Sequence, residues 1–155
     1  MGCVAARLHS AKGQSYSWPL FWAERRLLPH CARNAPAVAQ RVEALAADLP
    51  NRLPAPPSPA LLHGGLWGGN VLAADNRVSA LIDPACYYGH AEVDIAMLEL
   101  FDTPSPSFYE AYGALEPRHR ERPVIYRLWS ALIHLQLFGD SHRPLVLRLL
   151  AEAGA

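Results

Sequence analysis

The stretch His63-Gly64-Gly65-Leu66-Trp67-Gly68-Gly69-Asn70 links an imidazole to an amide through a loop with four glycines. Glycine at that density marks backbone that needs left-handed angles or close approach to another group. Asp83 follows at the end of a second apolar run. Amide and carboxylate oxygens are hard donors, suited to Mg²⁺, which keeps several waters and shares its remaining positions with phosphate oxygens. Asp94 is a lone carboxylate in an otherwise apolar run and therefore needs hydrogen-bond donors.

Other chemistries fail on spacing. His-Gly-Gly before a bulky residue suits an oxyanion loop, but no Gly-x-Ser-x-Gly nucleophile elbow is present. A Walker phosphate loop needs Lys and Ser or Thr after its glycines, and Asn70 follows Gly69 instead. The dinucleotide fingerprint fails because Leu66, not glycine, stands two residues after Gly64. His63 and His90 have no metal-ligand partner at useful spacing and read as hydrogen-bonded loop histidines.

The elements that must position these residues are mostly helical. Ala5 to Ser10 is a short helix-like run, broken at Gly13 to Ser17. Trp18-Pro19 opens a helix in which Leu20, Phe21, Ala23, Leu27 and Leu28 share one broad face. Pro36 to Leu49 predicts another, with Val38, Val42, Leu45, Ala46 and Leu49 on one side. A proline-rich connector spans about 50–59. Leu61-Leu62 enters the glycine loop. Asn70 to Ala73 and Val78 to Ile82 predict a β-hairpin turning at Ala74-Asp75-Asn76-Arg77, which sets Asn70 roughly across from Asp83. Glu92 to Phe101 predicts a buried helix, Pro104 to Tyr112 a short one, and Pro123 to Phe138 a long amphipathic one capped by Gly139. Pro144 to Ala151 closes the chain. The reading is one domain, residues 1–155, of α+β class and mostly α-helical, with a small central β-hairpin.

Half of the 155 residues are hydrophobic, enough for a sizeable core. Fourteen basic residues balance fourteen acidic ones, so overall charge points to neither nucleic acid nor a membrane surface. No apolar run is long enough to span a bilayer, and the N-terminus lacks a continuous signal core. Met1-Gly2-Cys3 opens like a lipidation signal, but Ala6 stands where Ser or Thr is required. Cys3, Cys31 and Cys86 form no disulfide or metal pattern, and a cytoplasmic location is expected. Thirteen of the fourteen basic residues are arginine, so chemistry that needs a lysine must use Lys12 or a lysine from elsewhere.

Three blocks together, His63 to Asn70, Leu81-Ile82-Asp83-Pro84-Ala85-Cys86-Tyr87-Tyr88-Gly89, and Glu92-Val93-Asp94-Ile95-Ala96-Met97-Leu98-Glu99-Leu100-Phe101, resemble the fructosamine (ketosamine) kinase family. Its pattern is HGDLWxGN…DPAxYYGxREVDLAMxELF. The family sits with the aminoglycoside phosphotransferases and choline kinases in the protein-kinase-like fold. The match runs from about Ala6 to the C-terminus and takes in the WAERRLLP, FYEAY and HLQLFG segments. The resemblance implies the C-terminal lobe of a kinase-like fold, ATP and Mg²⁺ as cofactors, and a glycated amine or related sugar as substrate. It implies Asn70 and Asp83 as metal ligands and His63 as part of the catalytic loop. Asp94 would brace that loop, and Tyr87, Tyr88 and Glu92 would line the cleft or support the loop. Trp67 would either stack on a sugar or pack as a core aromatic.

Two departures from the pattern stand out. The family's catalytic Asp should occupy position 65, where Gly65 stands. That carboxylate accepts the proton of the attacking hydroxyl, and positioned acid–base groups contribute roughly 10²–10⁴-fold. The chain before His63 is also too short and too helical for an N-lobe with a glycine-rich cover and a strand lysine. The expectation is a truncated family member that is not competent as an isolated chain. The alternatives are the C-lobe of a split kinase working with a separate N-lobe, and a non-catalytic pseudokinase that binds.

Overall fold

The computed structural model describes residues 17–155. The expectations for Ala5 to Ser10, Lys12 and Cys3 lie outside the described residues. The described chain divides into two compact units, one formed by Ser58–Pro123 and the other by residues 17–57 with Val124–Ala155.

The second unit is helical. Helix α1 (Trp18–Trp22) starts with Pro19 in its first turn, where the missing N–H costs nothing. It continues as a π-helical segment, Ala23–Leu27, and a 3₁₀ segment, Leu28–Arg33. Pro29 explains the break, because its ring cannot sit against the carbonyl four residues back. The change of pitch rotates the buried face. Trp18, Trp22, Ala23 and Leu27 are buried, while Leu20 and Leu28, predicted to share that face, are exposed. Helix α2 (Pro36–Arg52) buries Val38, Val42, Leu45, Ala46 and Leu49, the stripe its periodicity predicts. It runs three residues past the predicted end, so the extended connector starts after Arg52 and not at residue 50. Pro50 is tolerated in the last turn. Asp48 and Arg52 pair across it at 2.6 Å, and Arg52 Nη1 donates to the carbonyl of Ala153 at 2.6 Å.

The first unit carries the strands. β1 (Pro59–Leu62) pairs antiparallel with β4 (Tyr87–His90), from Pro59 opposite His90 to Leu62 opposite Tyr87. β2 (Val71–Ala74) pairs with β3 (Arg77–Leu81) as the predicted hairpin. Asp75 and Asn76 have φ of 52° and 62°, the double left-handed turn that matches strand twist. The β1–β4 sheet is a second two-stranded sheet, so the single hairpin of the prediction is incomplete. Helix α3 (Glu92–Phe101) buries Glu92, Val93, Ile95 and Ala96 but leaves its second half only partly covered. Helix α4 (Pro106–Tyr112) follows it.

Helix α5 (Pro123–Phe138) has the predicted bounds and ends at Gly139, whose φ of 78° suits a glycine cap. Helix α6 (Arg143–Glu152) buries Val146, Leu149 and Leu150. In the helical unit the Trp22 ring meets Tyr126 edge-on at 4.8 Å and Trp129 at 5.6 Å. The Trp18 indole N–H donates to the Tyr126 hydroxyl at 3.0 Å.

Candidate functional site

β1 delivers the chain to His63, and a 3₁₀ turn, Gly68–Asn70, hands it to β2. Side chains satisfy much of the loop backbone between them. Asp94, in the first turn of α3, accepts from His63 N–H through Oδ2 at 2.6 Å and from Gly64 N–H through Oδ1 at 2.9 Å. Asp102, just past the end of α3, accepts from Gly68 N–H at 2.7 Å. The two carboxylates are eight residues apart, about 12 Å along a helix, so one rigid element fixes both the start and the middle of the loop. Burial raises the Asp94 carboxyl above its ordinary value, against the opposing pull of the two N–H donors.

The chain after β3 holds the loop from another side. Ile82 N–H donates to the Asn70 carbonyl at 3.0 Å, and Ala85 N–H to the His63 carbonyl at 2.9 Å. His63 Nε2 lies 3.0 Å from the Ile82 carbonyl, so Nε2 is the nitrogen that carries the proton. Asp83 stands between these anchors, exposed, with φ of 55°, a region uncommon for residues other than glycine. Asn70 Nδ2 donates to the Gly65 carbonyl at 2.8 Å, which leaves its amide oxygen for another partner.

The four loop glycines answer to different demands. Gly64 has φ of 76°, and a Cβ there would come within 2.9 Å of the Ala85 carbonyl oxygen. At Gly68 a Cβ would strike the Asp102 carboxylate at 2.4 Å, and at Gly69 the Trp67 ring at 2.3 Å. Gly65 has no such constraint. A Cβ there would meet only ordinary contacts: Asn70 Nδ2 at 3.7 Å, the Asp83 carbonyl oxygen at 3.8 Å and His63 Nδ1 at 3.8 Å.

The structure therefore groups His63, Gly65, Asn70, Asp83 and Asp94 around one loop. Tyr87 is buried beside Gly64, while Tyr88, its neighbour on β4, turns outward and is exposed. Trp67 is 43 % exposed at the loop's edge, its ring 6.2 Å from Phe101. Glu92 is buried elsewhere, held by the Nε and Nη2 donors of Arg122. Sequence reasoning missed Asp102 and Arg122. Asp102 reads in sequence as a solvated residue beyond a helix end, and Arg122 lies thirty residues from the carboxylate it binds.

A mostly helical α+β lobe, in which a glycine loop carries an amide into a hairpin that ends in a carboxylate, is the C-terminal lobe of a protein-kinase-like fold. The chain belongs to the fructosamine kinase family, whose model matches residues 4–153. A probable ketoamine kinase of Synechocystis sp. is 36 % identical over 148 residues, 88 % of this chain and 48 % of that protein. The probable ketoamine kinase YniA of Escherichia coli is 36 % identical over 133 residues, covering 81 % of this chain and 46 % of its own length. A crystal structure from Thermobifida fusca, assigned as a fructosamine-3-kinase, superposes with a TM-score of 0.78 at 34 % identity. That match covers 88 % of this chain and 51 % of the other. The chain thus spans about half the length of the relatives it matches.

Proposed function

We propose that this chain is the acceptor-side half of a ketosamine kinase and that alone it does not transfer phosphate. In the reaction its relatives' names imply, a phosphoryl group of ATP passes to a hydroxyl of a sugar attached to an amine. The donor set fits Mg²⁺: an amide oxygen at Asn70, whose nitrogen is already engaged, and an exposed carboxylate at Asp83. Bound with the nucleotide, Mg²⁺ would neutralise charge developing on the phosphates. Asp94 and Asp102 would hold the loop that presents Asn70 and Trp67, and Trp67 would offer a half-exposed ring face to a sugar.

The observation that carries the inactive reading is Gly65. The backbone there does not require glycine, and a side chain would extend between Asn70, Asp83 and His63, where a proton acceptor belongs. The His63 ring is already engaged, its Nε2 on the Ile82 carbonyl, and its Nδ1 is enclosed. A second reading, a split kinase with a separately supplied N-lobe, draws on the exposure of Leu61, Leu72, Val78, Leu81, Ile82 and Tyr88.

Calorimetric titration with MgATP and a phosphorylation assay on a fructosamine test both readings. The expected result is no turnover by the chain alone. Turnover that disappears in Asp83→Ala would overturn the inactive reading. Activity gained by Gly65→Asp only when an N-lobe from a relative is added would support the split arrangement.

A further inference from the structure

His90, at the end of β4, is 1 % exposed. Its Nε2 lies 3.3 Å from Glu116 Oε2 and 3.8 Å from Glu92 Oε1. The ligand-capable atoms of the three residues all fall within 4.8 Å of one another. The sequence spacing gave His90 no such partners, because Glu116 arrives from the segment between α4 and α5. These side chains belong to the same unit as the glycine loop, but they do not enter the chemistry assigned to it.

We propose that His90, Glu92 and Glu116 form a binding site for one divalent transition-metal ion of the zinc type. An imidazole with two carboxylates is a donor set that suits such borderline ions. Ligands about 2.0–2.2 Å from a tetrahedral ion stand roughly 3.3–3.6 Å apart, close to the two separations seen here. Because Arg122 holds Glu92, closing the triangle falls to the partly exposed Glu116 side chain. Glu92 is fixed by Arg122, whose Nε and Nη2 both donate to its carboxylate and whose Nη1 donates to the Pro117 carbonyl at 2.8 Å. That is the outer support a metal-binding carboxylate requires, since one oxygen can serve an arginine and an ion together.

Charge and access agree with this. Two carboxylates against one guanidinium leave one net negative charge around the ring. An ion bound here would take the place of the His90 Nε2–Glu116 Oε2 contact and release any proton that Nε2 carries. The Glu116 side chain is 36 % exposed, while His90 and Glu92 are enclosed. Glu116 therefore lies on a side from which an ion and a water, as fourth ligand, could enter. An ion here would tie β4, the start of α3 and the 113–122 segment together.

The test is titration of chelator-treated protein with Zn²⁺ by calorimetry and with Co²⁺ by visible absorption. Both are done in excess Mg²⁺ to occupy hard-oxygen sites. The expected result is one ion per chain, a rise in melting temperature, and Co²⁺ bands typical of four- or five-coordination. Glu116→Gln, at a partly exposed position that keeps the fold, should weaken binding by more than about tenfold. His90→Asn should do the same. His142→Ala should leave binding unchanged, which controls for the neighbouring His134 and His142 rings, 5.5 Å apart. The proposal is overturned by the absence of saturable binding, by binding that Glu116→Gln leaves within tenfold, or by loss of binding in His142→Ala. In those cases His90 acts as a buried polar strut paired to Glu116.

Discussion

In residues 17–57 and 124–155, Trp22, Leu27, Leu49, Leu128 and Leu132 have no exposed surface, and aromatic rings fill the space between helices. In residues 58–123 the large apolar side chains of the hairpin, Leu72, Val78 and Leu81, are about half exposed or more. Leu62, Tyr87, Val93, Ile95 and Ala96 form a smaller buried cluster there, and charged groups hold the loop: Asp94 and Asp102 on its N–H groups, with Arg122 on Glu92. Apolar packing tolerates changes that keep volume but punishes voids. A polar scaffold tolerates loss of area but punishes the removal of one partner. A loop rich in glycine has little side chain to bury, so it is held in the second way.

The largest effects should come from breaking each unit by its own mechanism. Trp22→Ala should cost about 3–5 kcal/mol in denaturant unfolding, because a closed aromatic cluster cannot collapse around the void. Arg122→Ala should cost about 3–5 kcal/mol as well, by leaving Glu92 buried without its partner. The contrast lies in the repair. Pairing Arg122→Met with Glu92→Gln should recover much of the loss, since a buried ion pair replaced on both sides is often near neutral. No polar substitution should repair Trp22→Ala. A double variant as unstable as Arg122→Ala would show that the pair is packed like a core and not matched by charge.

Asp94→Ala comes next, at about 1–3 kcal/mol, because the two N–H groups left without an acceptor are only partly buried and each costs less than a fully buried one. Its distinctive signature is local. Amide exchange at His63 and Gly64 should rise, while exchange along α2 and α5 stays unchanged. That residue also marks how far the sequence could be read. A carboxylate inside an apolar helix announces that donors must exist, and the family pattern names the loop. The hairpin was readable because Asp75-Asn76 sits between two apolar runs, and α2 and α5 because their stripes repeat at helical spacing. The β1–β4 sheet was not, because Tyr87-Tyr88-Gly89-His90 has no clear alternation and its partner lies across the whole loop. Asp102, Glu116 and Arg122 were hidden because their roles depend on tertiary approach, which charge in a sequence does not reveal.

Each unit also carries one buried histidine with a lowered pKa, His30 in the helical unit and His90 in the other, with burial as the leading cause in both. A ring kept neutral when folded and free to charge when unfolded makes unfolding take up a proton. Its stability contribution is therefore full above the ordinary imidazole value and is lost as pH falls toward the lowered folded value. In metal-free buffer the slope should reach at most about 1.4 kcal/mol per pH unit for each ring. His90→Gln should flatten only its own share. Opposing the leading effect of burial, Gln136 favours the charged ring at His30, and Glu92 and Glu116 favour it at His90.

The smallest effect should come from the hairpin surface. Val78 is 65 % exposed on β3, and Val78→Thr keeps its β-branched shape while removing apolar character. In the isolated chain the change should stay within about 0.5 kcal/mol, since little of that side chain leaves water on folding. The same substitution is informative for a second reason. If a separate lobe covers the hairpin, as the split reading requires, Val78→Thr should weaken that association while unfolding of the chain alone is unaffected. A loss of more than about 1 kcal/mol in the isolated chain would mean the hairpin face is already buried against something. The contrast between an apolar-packed unit and a polar-scaffolded one would then fail at the point where it is most exposed.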